Sequence, residues 1–158
     1  MNVWRLITHH EDKDAALFWT RQNGRIAFGW GNIGDIRIRN YESKEEIAAA
    51  IKVTYPQLRN SGSGGISLWD FYSNMVLGDL VVLSASKPRE LVVEVQGQYE
   101  WQEQAPLEGD YYHQRGVLIR RDLDPEKDIW DKAGRSAPFQ NVHCTLIRAE
   151  RSLNEEDI

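Results

Sequence analysis

The segment Gly29-Trp30-Gly31-Asn32-Ile33-Gly34-Asp35 sets three glycines around one tryptophan. Glycine admits positive φ and close approach of a ligand or another backbone. The segment reads either as a tight corner between strands or as a binding loop with exposed backbone N–H groups. Its spacing does not fit the GxGxxG template of nucleotide sites, and no long helix begins at once. Trp69, off the apolar stripe of its helix, and Tyr99 with Trp101, near a strand end, are further aromatics in positions that could be exposed. Aromatic faces stack on flat groups and hold cations. Trp30, Trp69, Tyr99 and Trp101 are therefore candidate walls of a pocket for a nucleobase or a methylated group. Asn32 and Asp35 could supply the few hydrogen bonds that orient such a ligand. Arg37 and Arg39 follow the glycine corner, and Arg115, Arg120 and Arg121 lie on a later strand. They could hold phosphates, or they could form a solvated sheet face.

Other chemistry finds less support. His9 and His10 are adjacent and point to opposite sides of a strand, while His113 and His143 stand alone, so ligand spacing for a metal is lacking. Cys144 and His143 face opposite ways on a strand, and Cys144 reads as a small buried apolar residue. A nucleophile-elbow serine, an EF-hand loop and an HExxH helix are all missing from the sequence. Glu94 and Glu100 belong to the wet face of one strand. The expectation is a non-catalytic protein with no cofactor and no metal.

The elements that must position these residues follow from periodicity and caps. Val3 to Thr8 predicts a first strand, and Asp12 or Asp14 caps a short helix that stops near Asn23-Gly24. Arg25 to Trp30 predicts a second strand. Ser43 with Glu46 is a capping box, and Ile47, Ile51, Tyr55 and Leu58 share one face of the helix it starts. Arg59 to Gly65 reads as a flexible loop by composition, with Ser67 capping the next helix. There Leu68, Phe71, Tyr72 and Met75 form the buried stripe, and Gly78 is its stop. Leu80 to Leu83 is a short apolar strand. Leu91 to Gln102 alternates, with Leu91, Val93, Val95, Gly97, Tyr99 and Trp101 on a dry face and Val92, Glu94, Gln96, Gln98, Glu100 and Gln102 on a wet one. Gly97 marks a bulge or a close approach. A loop from Glu103 to Gly109 leads to a strand over Asp110 to Arg121. Asp124-Pro125 starts a last helix that ends at Gly134, and Gln140 to Ala149 predicts the final strand. Early helices followed by antiparallel strands favour an α+β domain whose sheet curls or closes into a barrel with helices at its rim.

Composition bounds the alternatives. The chain has 158 residues, 41% hydrophobic and 27% charged, and carries a net charge of −5. This is one folded domain, residues 1–150, with an acidic tail or linker over 151–158. A single cysteine excludes an internal disulfide framework. No stretch approaches the ~20 apolar residues of a membrane span, and the N-terminus lacks a signal-peptide pattern, so a soluble cytoplasmic protein is expected. An acidic balance argues against a strong non-specific nucleic-acid binder but leaves room for a local basic groove. Six tryptophans are roughly three times an ordinary share.

Trp69-Asp70-Phe71-Tyr72 followed by Met75 to Leu83, which contains Gly78-Asp79, resembles the aromatic helix and "GD-hydrophobic" strand of the PUA-like superfamily, and within it the EVE and YTH domains. Val95, Gly97 and Tyr99 resemble the next strand, and His113, Arg115 and Val117 the one after it. Trp4 sits where EVE domains place an early tryptophan. The Gly29–Asp35 corner is similar to an element of sensor domains at the N-termini of modification-dependent restriction endonucleases. The resemblance implies a compact curled antiparallel barrel, flanked by short helices, that takes a flipped, modified base into an aromatic cage. Trp30 and Trp69 would be its first walls and Tyr99 and Trp101 the next, with Asn32 or Asp35 at the base edge and Arg37, Arg39, Arg115 and Arg120 on phosphates. The implied partner is modified DNA, or RNA, with a nuclease or NTPase domain or subunit downstream in a restriction system. Two alternatives stay open: a small-molecule or protein-binding pocket on the same scaffold, and a nucleoside-acting enzyme of the ASCH type.

Overall fold

The structure is a computed structural model that describes residues 1–9, 12–84, 89–103, 109–134 and 144–158. His10, His143 and the start of the predicted final strand lie outside the described residues. Strands β1 (Val3–Ile7), β2 (Arg25–Phe28), β3 (Leu80–Ser84), β4 (Leu91–Trp101), β5 (His113–Ile119) and β6 (Leu146–Arg148) form one sheet in the order β2-β5-β4-β3-β1-β6. β1 and β3 run parallel, and every other neighbouring pair is antiparallel. The fold is α+β, as expected, but the sheet is mixed and open, and it does not close into the curled antiparallel barrel.

Burial explains the open sheet. A barrel has one apolar interior, whereas here successive residues feed two cores. Trp4, Leu6, Val81, Leu83, Val93, Val95 and Leu146 point into the larger core. Val3, Leu80, Val82, Val92 and Ile147 point into the second, against Leu123, Ile129, Trp130 and Ala133. All five residues of β3 are buried. Val92, expected on a wet face, is dry because the C-terminal helical turns cover it. The alternation of β4 holds beyond that point, where Gln96 and Gln98 are exposed.

Among the described residues the α-helices are α1 (Lys13–Asn23), α2 (Ile36–Arg39), α3 (Lys44–Thr54), α4 (Ser61–Trp69) and α5 (Asp131–Ala133). The caps are those the sequence indicates. Asp12 accepts from Ala15 N–H, Ser43 from Glu46 N–H, and Asp124 from Glu126 and Lys127 N–H. Gly24 ends α1 in the left-handed conformation, φ +63°. The Gly/Ser segment departs from expectation, because α4 begins at Ser61 instead of Ser67. Its glycines are a packing device. A Cβ at Gly65 would lie 2.6 Å from the Lys44 carbonyl oxygen and 2.7 Å from the Ala48 Cβ. Without side chains there, α4 seats directly on α3. Past Trp69 the chain makes a wider π-helical turn over Asp70–Asn74. Residues expected as a solvated tail pack back, with Leu153 buried and its carbonyl accepting from the Met1 ammonium at 2.8 Å.

The β4–β5 pairing changes register between Val95 and Tyr99, and Gly97 lies against Gly116, whose N would be 3.2 Å from a Cβ at position 97. The bulge or close approach expected at Gly97 is met by this shift and by the contact with Gly116. Arg115 fills the space it opens. The side chain is 1% exposed, and its Nε donates to the Gly97 carbonyl at 3.0 Å. Its Nη1 donates to the carbonyls of Phe71, at 3.0 Å, and Met75. Burial lowers the guanidinium pKa. Arg115 thus joins the bulge to the turn after α4, and as a phosphate contact it is corrected: a buried fork spent on three carbonyls cannot reach solvent.

Two outcomes follow for stability. Gly65→Ala should raise helix propensity yet destabilise the protein by roughly 1–3 kcal/mol through overpacking, read from urea unfolding midpoints. Arg115→Met should cost at least about 3 kcal/mol, because buried carbonyls lose a charged donor; thermal unfolding checks it.

Candidate functional site

Beyond β2 the chain turns sharply at Trp30, which adopts φ +65°, ψ +26°. A bulky residue in the left-handed region costs on the order of 1 kcal/mol or more and persists only where surroundings enforce it. The enforcement is visible. Gly31 admits no side chain, since a Cβ would sit 2.1 Å from the Asp110 carbonyl oxygen. The Trp30 carbonyl accepts from Ile33 N–H at 3.2 Å, closing a 3-10 turn over Gly31–Ile33, and from His113 Nε2 at 3.2 Å. Behind His113 stands Tyr99. Its hydroxyl accepts from Ile36 N–H at 3.2 Å, so its proton goes to His113 Nδ1 at 2.6 Å. The assignment leaves the imidazole neutral, with its proton on Nε2 facing Trp30. Burial pushes the His113 pKa down to about 4 and raises that of the Tyr99 hydroxyl.

Trp30 forms one wall of a cleft with Ile7, Phe28, Tyr55, Leu58, Asp110 and Tyr111, enclosing about 170 Å³. Tyr55 comes from the end of α3 and meets the Trp30 ring edge-on, centroids 5.3 Å apart. Its hydroxyl accepts from Asn32 N–H at 3.1 Å and donates to Asp110 Oδ2 in a short contact. Burial first, then the Asp110 carboxylate, raise the Tyr55 pKa, so the phenol keeps its proton. Tyr111 supplies a further face, backed by the stacked ring of His9 at 4.8 Å. On its other side Trp30 lies on α4, where a Cβ at Gly64 would come within 3.0 Å of the indole Nε1. The arrangement suits a flat ligand laid against aromatic faces, with a carboxylate at its edge.

The predicted site residues divide between this cleft, its support and elsewhere. Trp30 lines the cleft. Asn32 touches it through its backbone N–H and is exposed. Asp35 faces no ligand space: it is 8% exposed, caps α2 and accepts from Arg37 N–H. Tyr99, 3% exposed, is a buried support instead of a cage wall. Trp101 packs on His113 at 5.4 Å and Tyr112 at 5.1 Å, also behind the turn. Trp69 lines a different, shallow groove with Glu42, Lys44, Ile66 and Asp70. The structure therefore does not bring Trp30 and Trp69 to one cage. Arg37 pairs with Asp35 at 3.2 Å and lies over the Tyr99 ring. Arg39 is exposed and makes no ion pair among the described residues, with Nε against Gly34. Arg120 is held by Glu94 and Asp122, each at 2.9 Å.

Sequence reasoning missed Tyr55, Asp110 and Tyr111 as site residues. Tyr55 shares its helical face with Ile47 and Ile51 and so reads as core. The adjacent acid and aromatics Asp110-Tyr111-Tyr112 are the signal that was present, but it lacks meaning until β5 is paired beside β2.

The relay through His113 has a pH signature. Unfolded histidine titrates near 6.5 and the folded one near 4. Between these values the unfolded state binds more protons, so stability is full above about pH 6.5 and declines as pH falls toward 4, by up to roughly 1.4 kcal/mol per unit. Urea unfolding from pH 7 to pH 4.5 should show this slope, and His113→Gln should flatten it.

No curated protein and no solved structure matches this chain. Residues 4–134, which carry the sheet from β1 to β5 and every residue of the relay, match a domain of unknown function, DUF8426, and the chain belongs to that family.

Proposed function

We propose that this protein is a non-catalytic reader of nucleic acid, most simply DNA, that takes one modified base flipped from its strand into the cleft beside Trp30. The observation that carries the reading is the enforced left-handed turn at Trp30. A strained aromatic residue fixed by a buried relay, at the lip of a cleft with two more aromatic faces, is a preorganised stacking surface. Flipping costs a few kcal/mol, and stacking returns ~1–3 kcal/mol per aromatic contact. Arg39, with Arg37, lies just past the turn and supplies positive charge for flanking phosphates. The residues that carry the PUA-like resemblance fall on β1, the turn after β2, the end of α4 with the π-helical turn after it, β3, β4 and β5, which supports a PUA-like reading of the open sheet. On this reading Trp30, Tyr55 and Tyr111 are the cage, Tyr99 and Trp101 its backing, and the protein acts in the cytoplasm as the sensing part of a restriction or defence system. A nuclease or NTPase partner would then act on the base it finds. Among the described residues, no helix is long and apolar enough to cross a membrane.

Fluorescence anisotropy at low salt tests the reading. The duplexes would be unmodified or carry one N6-methyladenine, 5-methylcytosine, 5-hydroxymethylcytosine, 1-methyladenine or 3-methylcytosine. One modified duplex should bind at least about tenfold more tightly than the unmodified one, an energy within reach of a single stacked base. Trp30→Ala should lose that preference, and Trp69→Ala should keep it. Absence of binding to all duplexes, and then to single strands and RNA, would contradict the proposal.

A further inference from the structure

The edge chemistry of the cleft narrows the ligand further, and the argument rests on the reader proposal. Among the described residues, Asp110 is the only charged one lining the cleft. One of its oxygens, Oδ2, is occupied by the Tyr55 hydroxyl. Among the described residues no donor reaches the other, Oδ1. That oxygen faces the backbone of Gly29, where a Cβ would lie 3.7 Å from Oδ1 and 3.7 Å from the Tyr111 ring. The missing side chain of Gly29 thus leaves a gap between a carboxylate oxygen and an aromatic face. Carboxylate and aromatic faces both attract positive charge, and among the described residues no cation lines the cleft to meet it.

The phosphate grip is weak as well. The net charge is −5, Arg115 is buried on carbonyls, and Arg25 and Arg120 are each paired with a carboxylate, which leaves Arg39, with Arg37, for phosphates near the cleft. A protein with so little hold on the backbone is best matched to a base that leaves the stack cheaply. Alkylation on the pairing edge does both things: it makes the base cationic, and it prevents Watson–Crick pairing, which lowers the cost of extrusion.

We infer that the Trp30–Tyr55–Tyr111 cleft selects a nucleobase made cationic by alkylation on its pairing edge, 1-methyladenine or 3-methylcytosine. The ring lies against the aromatic faces, and Asp110 Oδ1 accepts from the exocyclic amino group. Asp110 is then the specificity-determining residue, and Gly29 keeps its oxygen accessible.

Isomeric nucleosides isolate the charge. 1-Methyladenosine and N6-methyladenosine share one formula apart from the proton that charges the first, and 3-methylcytidine and 5-methylcytidine are related in the same way. Each would be titrated at neutral pH, up to millimolar concentration, into the whole protein and followed by tryptophan fluorescence and calorimetry. The cationic isomer of at least one pair should bind about tenfold or more tightly than its neutral partner. Asp110→Asn should abolish that difference by weakening the cationic isomer. Gly29→Val, which fills the gap, should weaken it too, with circular dichroism confirming that each variant is folded. Equal binding of the isomers, or preference for the neutral one, would overturn the inference and leave the reader proposal standing. Failure of every nucleoside to bind would overturn both. Tighter binding of trimethyllysine than of any nucleoside would also overturn both, and would assign the cleft to a methylated peptide.

Discussion

The hydrogen-bond chain from Ile36 N–H through Tyr99 and His113 to the Trp30 carbonyl fixes the geometry on which the cleft depends. Its members come from four places: α2, β4, β5 and the turn after β2. Each must therefore be in register before Trp30 can be held left-handed. The β4–β5 ladder shifts at Gly97, so that Trp101 lies opposite His113 and Tyr99 meets the imidazole from the diagonal position. The same shift opens the space that Arg115 fills. One irregularity in the sheet thus sets the buried guanidinium that ties the bulge to the turn after α4, and it lies on the same two strands that carry the relay.

A second constraint acts from the helical side. Trp30 is placed between Tyr55, at the end of α3, and Gly64, on α4. The separation of those helices is set by Gly65 against the α3 backbone at Lys44 and Ala48. The small residues of α4 therefore serve the cleft as well as the core. Neutral burial of His113 and protonated burial of Tyr99 and Tyr55 keep the relay itself uncharged. Among the described residues lining the cleft, the formal charge is that of Asp110. This contrast between an uncharged relay and the Asp110 carboxylate at the lip gives the cleft its preference in our account.

Much of the fold was legible in the sequence because it is local. Asp12, Ser43 and Asp124 announce their helices, Gly97 its bulge, and β3 and β4 their strands. The parallel pairing of β1 with β3 was not legible, since it depends on a crossover of more than seventy residues whose partner edge no local pattern names. The Gly/Ser run was misread because composition reports chain flexibility, whereas Gly64 and Gly65 answer to the neighbouring helix. At the site, Trp30 stood out by its glycine setting. Trp69 was joined to it by residue type alone, and the fold gives that residue to another groove. Arg115 was read by charge, yet its role is set by three carbonyls that only the tertiary structure assembles. Tyr55 was hidden by periodicity, which places it on the core face but cannot show that this face ends at an open cleft.

The most direct test of the central claim is an NMR titration that follows the six tryptophan indole N–H signals and the backbone amides as the protein takes up a strand carrying its preferred modified base. The account predicts that the Trp30 indole and the amides of Gly29, Gly31 and Tyr111 shift together, while the indoles of Trp4 and Trp69 stay in place. Shifts centred on Trp69 and its groove, with Trp30 unmoved, would contradict it.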